Sequence, residues 1–290
     1  MARILCTGNV TLDIINTVDH YPFEDEEIRA SAQVMRSGGN AANTALVLAQ
    51  LRQDVYLSGV VANDQNGHWL KHTLRENGIN VDHLREYSGV TPTSYITLNG
   101  QNGSRTIVHY RDLAELRLND FAHLSLERID WFHFEGRNVE QLNHLLERTL
   151  SIRIDQPISL ELEKPRDGLE ELAHKADVLM VSQTYAEHFG FTDPEPFICA
   201  QQKRFPHALI SLSWGAEGAW ACAPDIAPQH IPATPEIQAV DTIGAGDTFN
   251  AGLIDALVSG QPMLEATASA CRLAEAKIQN IGLRDFLHRV

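Results

Sequence analysis

The chain has 290 residues, 43% hydrophobic and 21% charged, the size and composition of one large α/β domain or two small ones. Its formal net charge of −15, without a basic tail or run, argues against a general binder of nucleic acid or anionic membrane but leaves a local site for anionic substrates open. No apolar stretch approaches the ~20 residues that span a bilayer, and Cys6, Cys199, Cys222 and Cys271 follow neither disulfide nor zinc spacing. With no signal-like apolar segment ahead of the first strand, a reducing cytoplasm is the expected compartment.

Residues 3–8 read as a short buried strand ending at Gly8, and residues 13–18 follow with alternating character. Asp13 comes just past the turn after the first strand, where open α/β sheets place ligand groups; a solvated turn carboxylate is the competing reading. Residues 21–27 form an acidic, proline-containing loop that includes Asp25, where solvation is the default. Residues 28–35 read as a strand. Ser37-Gly38-Gly39-Asn40-Ala41-Ala42-Asn43 then opens a helix, and Asn40 and Asn43, three apart, share one of its faces. Two amides on one face can each donate and accept, which suits a polyhydroxylated ligand. A plain N-cap explains Asn40 but not Asn43.

Residues 55–61 predict an apolar strand and 64–77 a helix closed by Gly78, so β-α-β alternation points to a mainly parallel sheet covered on both faces. Residues 93–98 and 105–110 flank Asn99-Gly100-Gln101-Asn102-Gly103-Ser104, a hairpin signature. A hairpin inside an alternating chain predicts a small antiparallel sheet, joined by the early strands and acting as a water-excluding lid over about 13–36 and 92–111 of a single domain, 1–290. Arg105, which opens the second hairpin strand, is either a surface charge or a phosphate contact. Such a sheet exposes a face and edges, so a homodimer formed through the lid is expected.

A strand at 131–134 ends in Glu135-Gly136-Arg137-Asn138, polar groups at a strand's C-terminal end, before a helix at 139–150. Strands at 158–162, 178–181 and 208–212 and helices at 183–189 and 195–204 follow. Ser213-Trp214-Gly215-Ala216-Glu217-Gly218 is a glycine-punctuated turn into a hairpin over 219–231, and an amphipathic helix at about 262–279 ends the chain.

Between these last two lies Val240-Asp241-Thr242-Ile243-Gly244-Ala245-Gly246-Asp247-Thr248, ahead of an apolar helix over 248–258. Glycines before a helix let its first N–H groups approach an anion, and the helix dipole adds positive potential there. A carboxylate facing a bound phosphate is repulsive, so Asp247 makes sense as the base for a hydroxyl about to attack phosphorus. A helix cap behind a tight turn is the competing reading.

Together these motifs resemble the ribokinase-like (PfkB-type) carbohydrate kinase family over nearly the whole chain. Asp241 to Phe249 resembles its C-terminal signature, and Gly38 to Asn43 its N-terminal one, in the right order and about 200 residues apart. Tyr21-Pro22 with Glu24-Asp25, residues 102–108, 134–138 and 161–166 are most similar to ketohexokinase and fructokinase members. The resemblance implies a three-layer α/β/α sandwich and ATP-dependent phosphorylation of a sugar hydroxyl, with ribose, 2-keto-3-deoxygluconate or a nucleoside as alternative acceptors to a ketohexose. A catalytically silent sugar or nucleotide sensor is the alternative of another class. The resemblance further implies Asp247 as general base and the amides of Gly244, Ala245 and Gly246 as anion hole. Asp13, Asp25, Gly39, Asn40, Asn43, Arg105 and Glu135 would hold the sugar, and Ser213, Trp214, Gly215, Glu217 and Gly218 would line the nucleotide with Gly244 and Gly246. Mg²⁺ would be held by phosphates and water, and K⁺ by Asp241 and the Ile243 carbonyl. Many relatives carry Asn-x-x-Glu near the metal; here the run is Ser182-Gln183-Thr184-Tyr185, which leaves magnesium ligation unassigned.

Overall fold

A computed structural model describes residues 1–284, 286 and 287. The first half of the chain runs Arg3–Thr7 (β1), Thr11–Val18 (β2), Ala32–Gly38 (β3), Asn40–Gln50 (α1), Asp54–Ala62 (β4), Gln65–Glu76 (α2), Ile79–Asn80 (β5), Leu84–Tyr87 (β6), Thr93–Asn99 (β7), Arg105–Tyr110 (β8), Leu118–Phe121 (α3) and Trp131–Glu135 (β9). The second runs Val139–Ile152 (α4), Ile158–Leu162 (β10), Leu169–Leu172 (α5), Val178–Ser182 (β11), Gln183–His188 (α6), Pro194–Arg204 (α7), Leu209–Ser213 (β12), Ala219–Ala223 (β13), Ile226–Ile231 (β14), Ala245–Val258 (α8) and Met263–Ile278 (α9).

The main sheet has the order β14-β13-β12-β11-β10-β9-β1-β4-β5, with β6 also pairing to β4. Its central strands are parallel and only the hairpin β13–β14 adds antiparallel pairs. Strands covered on both faces are mostly apolar; β9 and β10 are buried at every position, and their polar members His133 and Ser159 pair with each other while Glu135 and Glu161 lie toward the C-terminal ends. One apolar cluster joins α1, α2, α8 and α9 to one face, and a second joins α4 to α7 to the other. This is the three-layer α/β/α arrangement that the alternation implied. Among the described residues, no helix is long and apolar enough to cross a membrane.

The second sheet, β3-β2-β7-β8, is the one expected as a lid; it is mixed and not wholly antiparallel, because β2 and β7 pair in parallel while β3 and β8 add antiparallel at its edges. Its register aligns Met35, Ile14, Tyr95 and Val108 in one row across all four strands, and Val34, Ile15, Ile96 and Ile107 in the next. Successive rows face opposite sides of a sheet. Ile96 and Ile107 line the central cavity, so the row from Met35 to Val108 lies on the outer face.

The strand expected at 28–35 starts at Ala32 and runs to Gly38, because Gly38 pairs with Thr11 while residues 28–31 lie in the loop leading into the sheet. The last helix of the glycine-rich segment starts at Ala245, a turn earlier than expected. Gly244, at φ +79°, turns the chain, and its carbonyl accepts the Thr248 N–H at 2.9 Å. The short elements β5, β6, α3 and α5 were not legible. They are two to four residues long and owe their form to the neighbours they pair with.

Candidate active site

The site lies where the C-terminal ends of β1, β9 and β10 meet the starts of α1 and α8, under the lid. A cavity of about 400 Å³ opens there, lined among others by Asp13, Asn40, Asn43, Arg105, Glu135 and Asp247. A second cavity of about 490 Å³ is lined by Ser213, Gly215, Gly218, residues 233–237 and Phe249. Thr242, Ala245 and Gly246 line both, so the two spaces meet at the start of α8. Both volumes fall in the range of about 300–1,000 Å³ typical of small-molecule sites.

Asp247, in the first turn of α8, is buried, and its Oδ2 accepts the Asn43 amide at 2.7 Å. Burial raises its pKa well above the usual carboxylate range; Glu163, Glu135 and Asp13 raise it further, and only the Asn43 bond opposes them. Glu161 is raised for the same reasons, burial first and then the charge of Asp247. Its Oε1 accepts from Asn40 at 3.2 Å and Asn250 at 2.9 Å, while Oε2 is buried without a partner. Asn40 bridges onward to Glu163 Oε2 at 2.9 Å. Glu135 is fixed by the N–H of Asn9 at 2.8 Å and by Arg137 Nη1 at 3.4 Å. The Asp13 carboxylate lies against Gly38, where any Cβ would collide with it.

Gly246 has open space where a side chain would project, so a ligand can reach the backbone there. As members of the first turn, the Gly246 and Asp247 N–H groups have no intrahelical acceptor. Ala245 differs from expectation: its N–H donates to the Thr242 carbonyl at 3.2 Å, which removes one amide from the anticipated three. Arg105 is no plain surface charge. It reaches in from the lid and donates to Thr242 Oγ at 2.7 Å.

Three expectations are corrected. Asp25 sits in an exposed turn closed by the Glu26 N–H to the Phe23 carbonyl, outside the cavity of its own chain. Trp214 packs inward against Trp220 and is not among the residues lining the 490 Å³ cavity, and Glu217, in the connection between β12 and β13, is exposed and does not line it either. Asp241 is not an open cation ligand: its Oδ2 accepts from Arg36 at 3.1 Å and from the Gly282 N–H at 2.8 Å, with the Lys277 ammonium 3.4 Å away. Burial lowers that ammonium to about 8, and Asp241 resists the fall.

Sequence reasoning missed Glu161, Glu163 and Asn250. Two signals were available: carboxylates two apart at a strand's C-terminal end share a face, and an Asn three residues after Asp247 shares its helix face. Ser182 caps α6 through the Tyr185 N–H at 3.1 Å and donates to the Glu163 carbonyl at 2.8 Å, a structural role. No group of three His, Cys, Asp or Glu that could hold a metal occurs among the described residues. Glu161, whose Oε2 is buried without a partner, and Glu163 are the carboxylates that would accept from the water shell of a magnesium ion carried by a phosphate ligand.

A sequence model of the family described as pfkB family carbohydrate kinase matches residues 1–289. Ketohexokinase of Mus musculus is 38% identical over 98% of this chain and 97% of that protein. Ribokinase of Bacillus subtilis is 24% identical over 97% of this chain and 94% of its own length. Among solved structures, ribokinase from Giardia lamblia superposes with a TM-score of 0.85 at 17% identity, covering 98% of this chain and 95% of that one. Arabidopsis thaliana ribokinase, solved with ribose and ATP, superposes at 0.78 and 21% identity, covering 97% and 94%. The solved structures speak to the fold, and the family match over nearly the whole chain to the chemistry: this chain belongs to the pfkB family of carbohydrate kinases and is an ATP-dependent sugar kinase.

Proposed function

We propose that the acceptor is a ketohexose such as fructose, seated in the 400 Å³ cavity, and that ATP lies in the 490 Å³ cavity with its γ-phosphate at the start of α8. The observation that carries this reading is the position of Asp247 in the 400 Å³ cavity, buried, held by Asn43 and next to Gly246, which lines both spaces. Asp13, Gly39, Asn40, Asn43 and Glu135 bind the sugar hydroxyls. Asp247, with Oδ2 fixed, takes the hydroxyl proton while the sugar oxygen forms a bond to Pγ and the bond from Pγ to the bridging oxygen of ADP breaks. The amides of Gly244 and Gly246, with the dipole of α8, stabilise the charge of the transferring group, and Arg105 closes on it from the lid. A magnesium ion bound with the nucleotide would supply charge neutralisation on the phosphates, with Glu161 and Glu163 facing its water. Positioning and electrostatics supply most of the rate.

A second acceptor class has an observation of its own. His109, Arg137, Lys164 and Arg166 also line the sugar cavity, which favours a sugar acid such as 2-keto-3-deoxygluconate over ribose or a nucleoside. A panel of acceptors, read by ADP release and by phosphorus NMR of the product, decides between them and identifies the hydroxyl. Turnover of fructose above all others supports the first reading; turnover confined to acid sugars replaces it.

The outer row of the lid, with Met35, Tyr95 and Val108 exposed, supports a homodimer formed through this sheet. A light-scattering mass near 32.2 kDa would exclude it.

A further inference from the structure

Lys277, in the last turn of α9, is fully buried, unusual for a side chain whose charge costs several kcal/mol to remove from water unless it is paired. Its Nζ donates to the Asp241 carbonyl at 2.6 Å and lies 3.4 Å from Asp241 Oδ2. That carboxylate is held in turn by Arg36 at 3.1 Å and by the N–H groups of Gly282 at 2.8 Å and Ile243 at 2.9 Å. The N–H groups of Val240 and Asp241 both donate to the Ile278 carbonyl, at 2.7 and 3.1 Å. The end of α9 thus grips the residue that begins the turn into Gly244, Gly246 and Asp247.

A mobile monovalent ion at this place would need the Asp241 oxygens as ligands. The carbonyl oxygen already carries the ammonium, and the carboxylate already faces two cationic side chains. The residues therefore do not fit a free potassium ion bound by Asp241. An apolar residue at 277 would pack among the same helices at no charge cost, but would leave the Asp241 carbonyl without a donor. A buried cation here does what a bound ion does: it fixes the backbone on which the phosphoryl-receiving amides sit.

Resting on the reading of this chain as a kinase that acts through that turn, we propose that the Lys277 ammonium is a built-in cation holding the Asp241–Gly246 segment in place, so that turnover needs no added monovalent ion. Lys277 is a positioning residue, acting through Asp241 and not on the sugar or the nucleotide.

The test compares wild type with Lys277→Ala and Lys277→Arg in tetramethylammonium chloride and in KCl of equal ionic strength. Each is followed by initial rate, by melting temperature and by thallium-205 NMR as a probe of monovalent binding. The wild-type kcat changes less than threefold between salts, its melting temperature does not respond to potassium, and no bound thallium signal appears. Lys277→Ala loses at least tenfold in kcat with the sugar KM within threefold, and KCl or ethylammonium restores a large part of it; Lys277→Arg keeps more activity than Lys277→Ala. A wild-type stimulation of threefold or more by potassium, a thallium site in the wild type, or full kcat for Lys277→Ala without added cation overturns the proposal. If Lys277→Ala does not fold, the wild-type arms decide. A chain that phosphorylates no sugar refutes the kinase reading, whereas the melting and thallium arms still report on the cation.

Discussion

Asn43 Nδ2 donates to Asp247 Oδ2 at 2.7 Å, joining the first turn of α1 to the first turn of α8 across 204 positions of sequence. The bond stabilises the charged form of a carboxylate that burial drives toward the neutral one. As the proposed general base, Asp247 works only when deprotonated, so kcat is expected to fall as the pH drops through its raised pKa. Asn43→Ala removes the opposing hydrogen bond and moves this acid limb to still higher pH. A pH–kcat profile with the limb unmoved would show that Asn43 does not tune the base.

Asp247→Asn keeps the shape and the Asn43 neighbour but cannot accept the proton. General-base removal costs typically 10²–10⁴-fold, so kcat drops by about that factor while calorimetry still detects sugar binding. Activity within tenfold of wild type would assign proton removal to another group.

Two glycines of the same turn separate folding from ligand approach. Gly244, at φ +79°, has the Leu283 side chain where a Cβ would go, so Gly244→Ala costs about 1–2 kcal/mol in backbone strain alone and lowers the melting temperature. Gly246→Ala meets no protein atom within 4 Å, so it melts like wild type but its new methyl enters the junction of the two cavities and raises the KM for ATP. Equal melting losses in both variants would contradict this division.

His133 titrates in the core. Fully buried on β9 beside Ser159, whose Oγ is 3.0 Å from Nδ1, it is driven by burial down to about 4. The unfolded chain, with a histidine near 6.5, binds the proton first, so stability present above about 6.5 is lost as the pH falls toward 4. That difference amounts to about 3 kcal/mol. Urea titrations from pH 7 to 4 should show a shallower decline for His133→Gln than for wild type; parallel declines would acquit this residue.

Much of the fold was legible because its signals are local. Asp64 caps α2 by accepting the Gly67 N–H at 2.7 Å, and the apolar run of β4, from Val55 to Ala62 broken only by Tyr56, Ser58 and Gly59, announces a strand covered on both sides. The glycine-led starts of α1 and α8 likewise led to Asn40, Asn43 and Asp247, which the fold brings into one cavity. What escaped is set by distant partners. Nothing near residue 25 in sequence says which way its turn faces, Trp214 packs inward on Trp220 of the next strand, and Lys277 lies in an amphipathic helix whose sequence does not reveal that Asp241 folds against it. The Ala245 amide was misread for a subtler reason, since its acceptor lies only three residues back and the turn geometry, not the composition, decides the bond.

The row-by-row alignment of the lid makes its hairpin connection, residues 99–104, a phase-setting device. Inserting or deleting one residue in β8 after the turn would exchange the strand's two sides. Arg105, Ile107 and His109 would swing out to water while Val108 and Tyr110 rotated over the sugar. A single-codon change far from any catalytic group would thus blind the pocket and grease it at once, leaving the strand count of the protein intact.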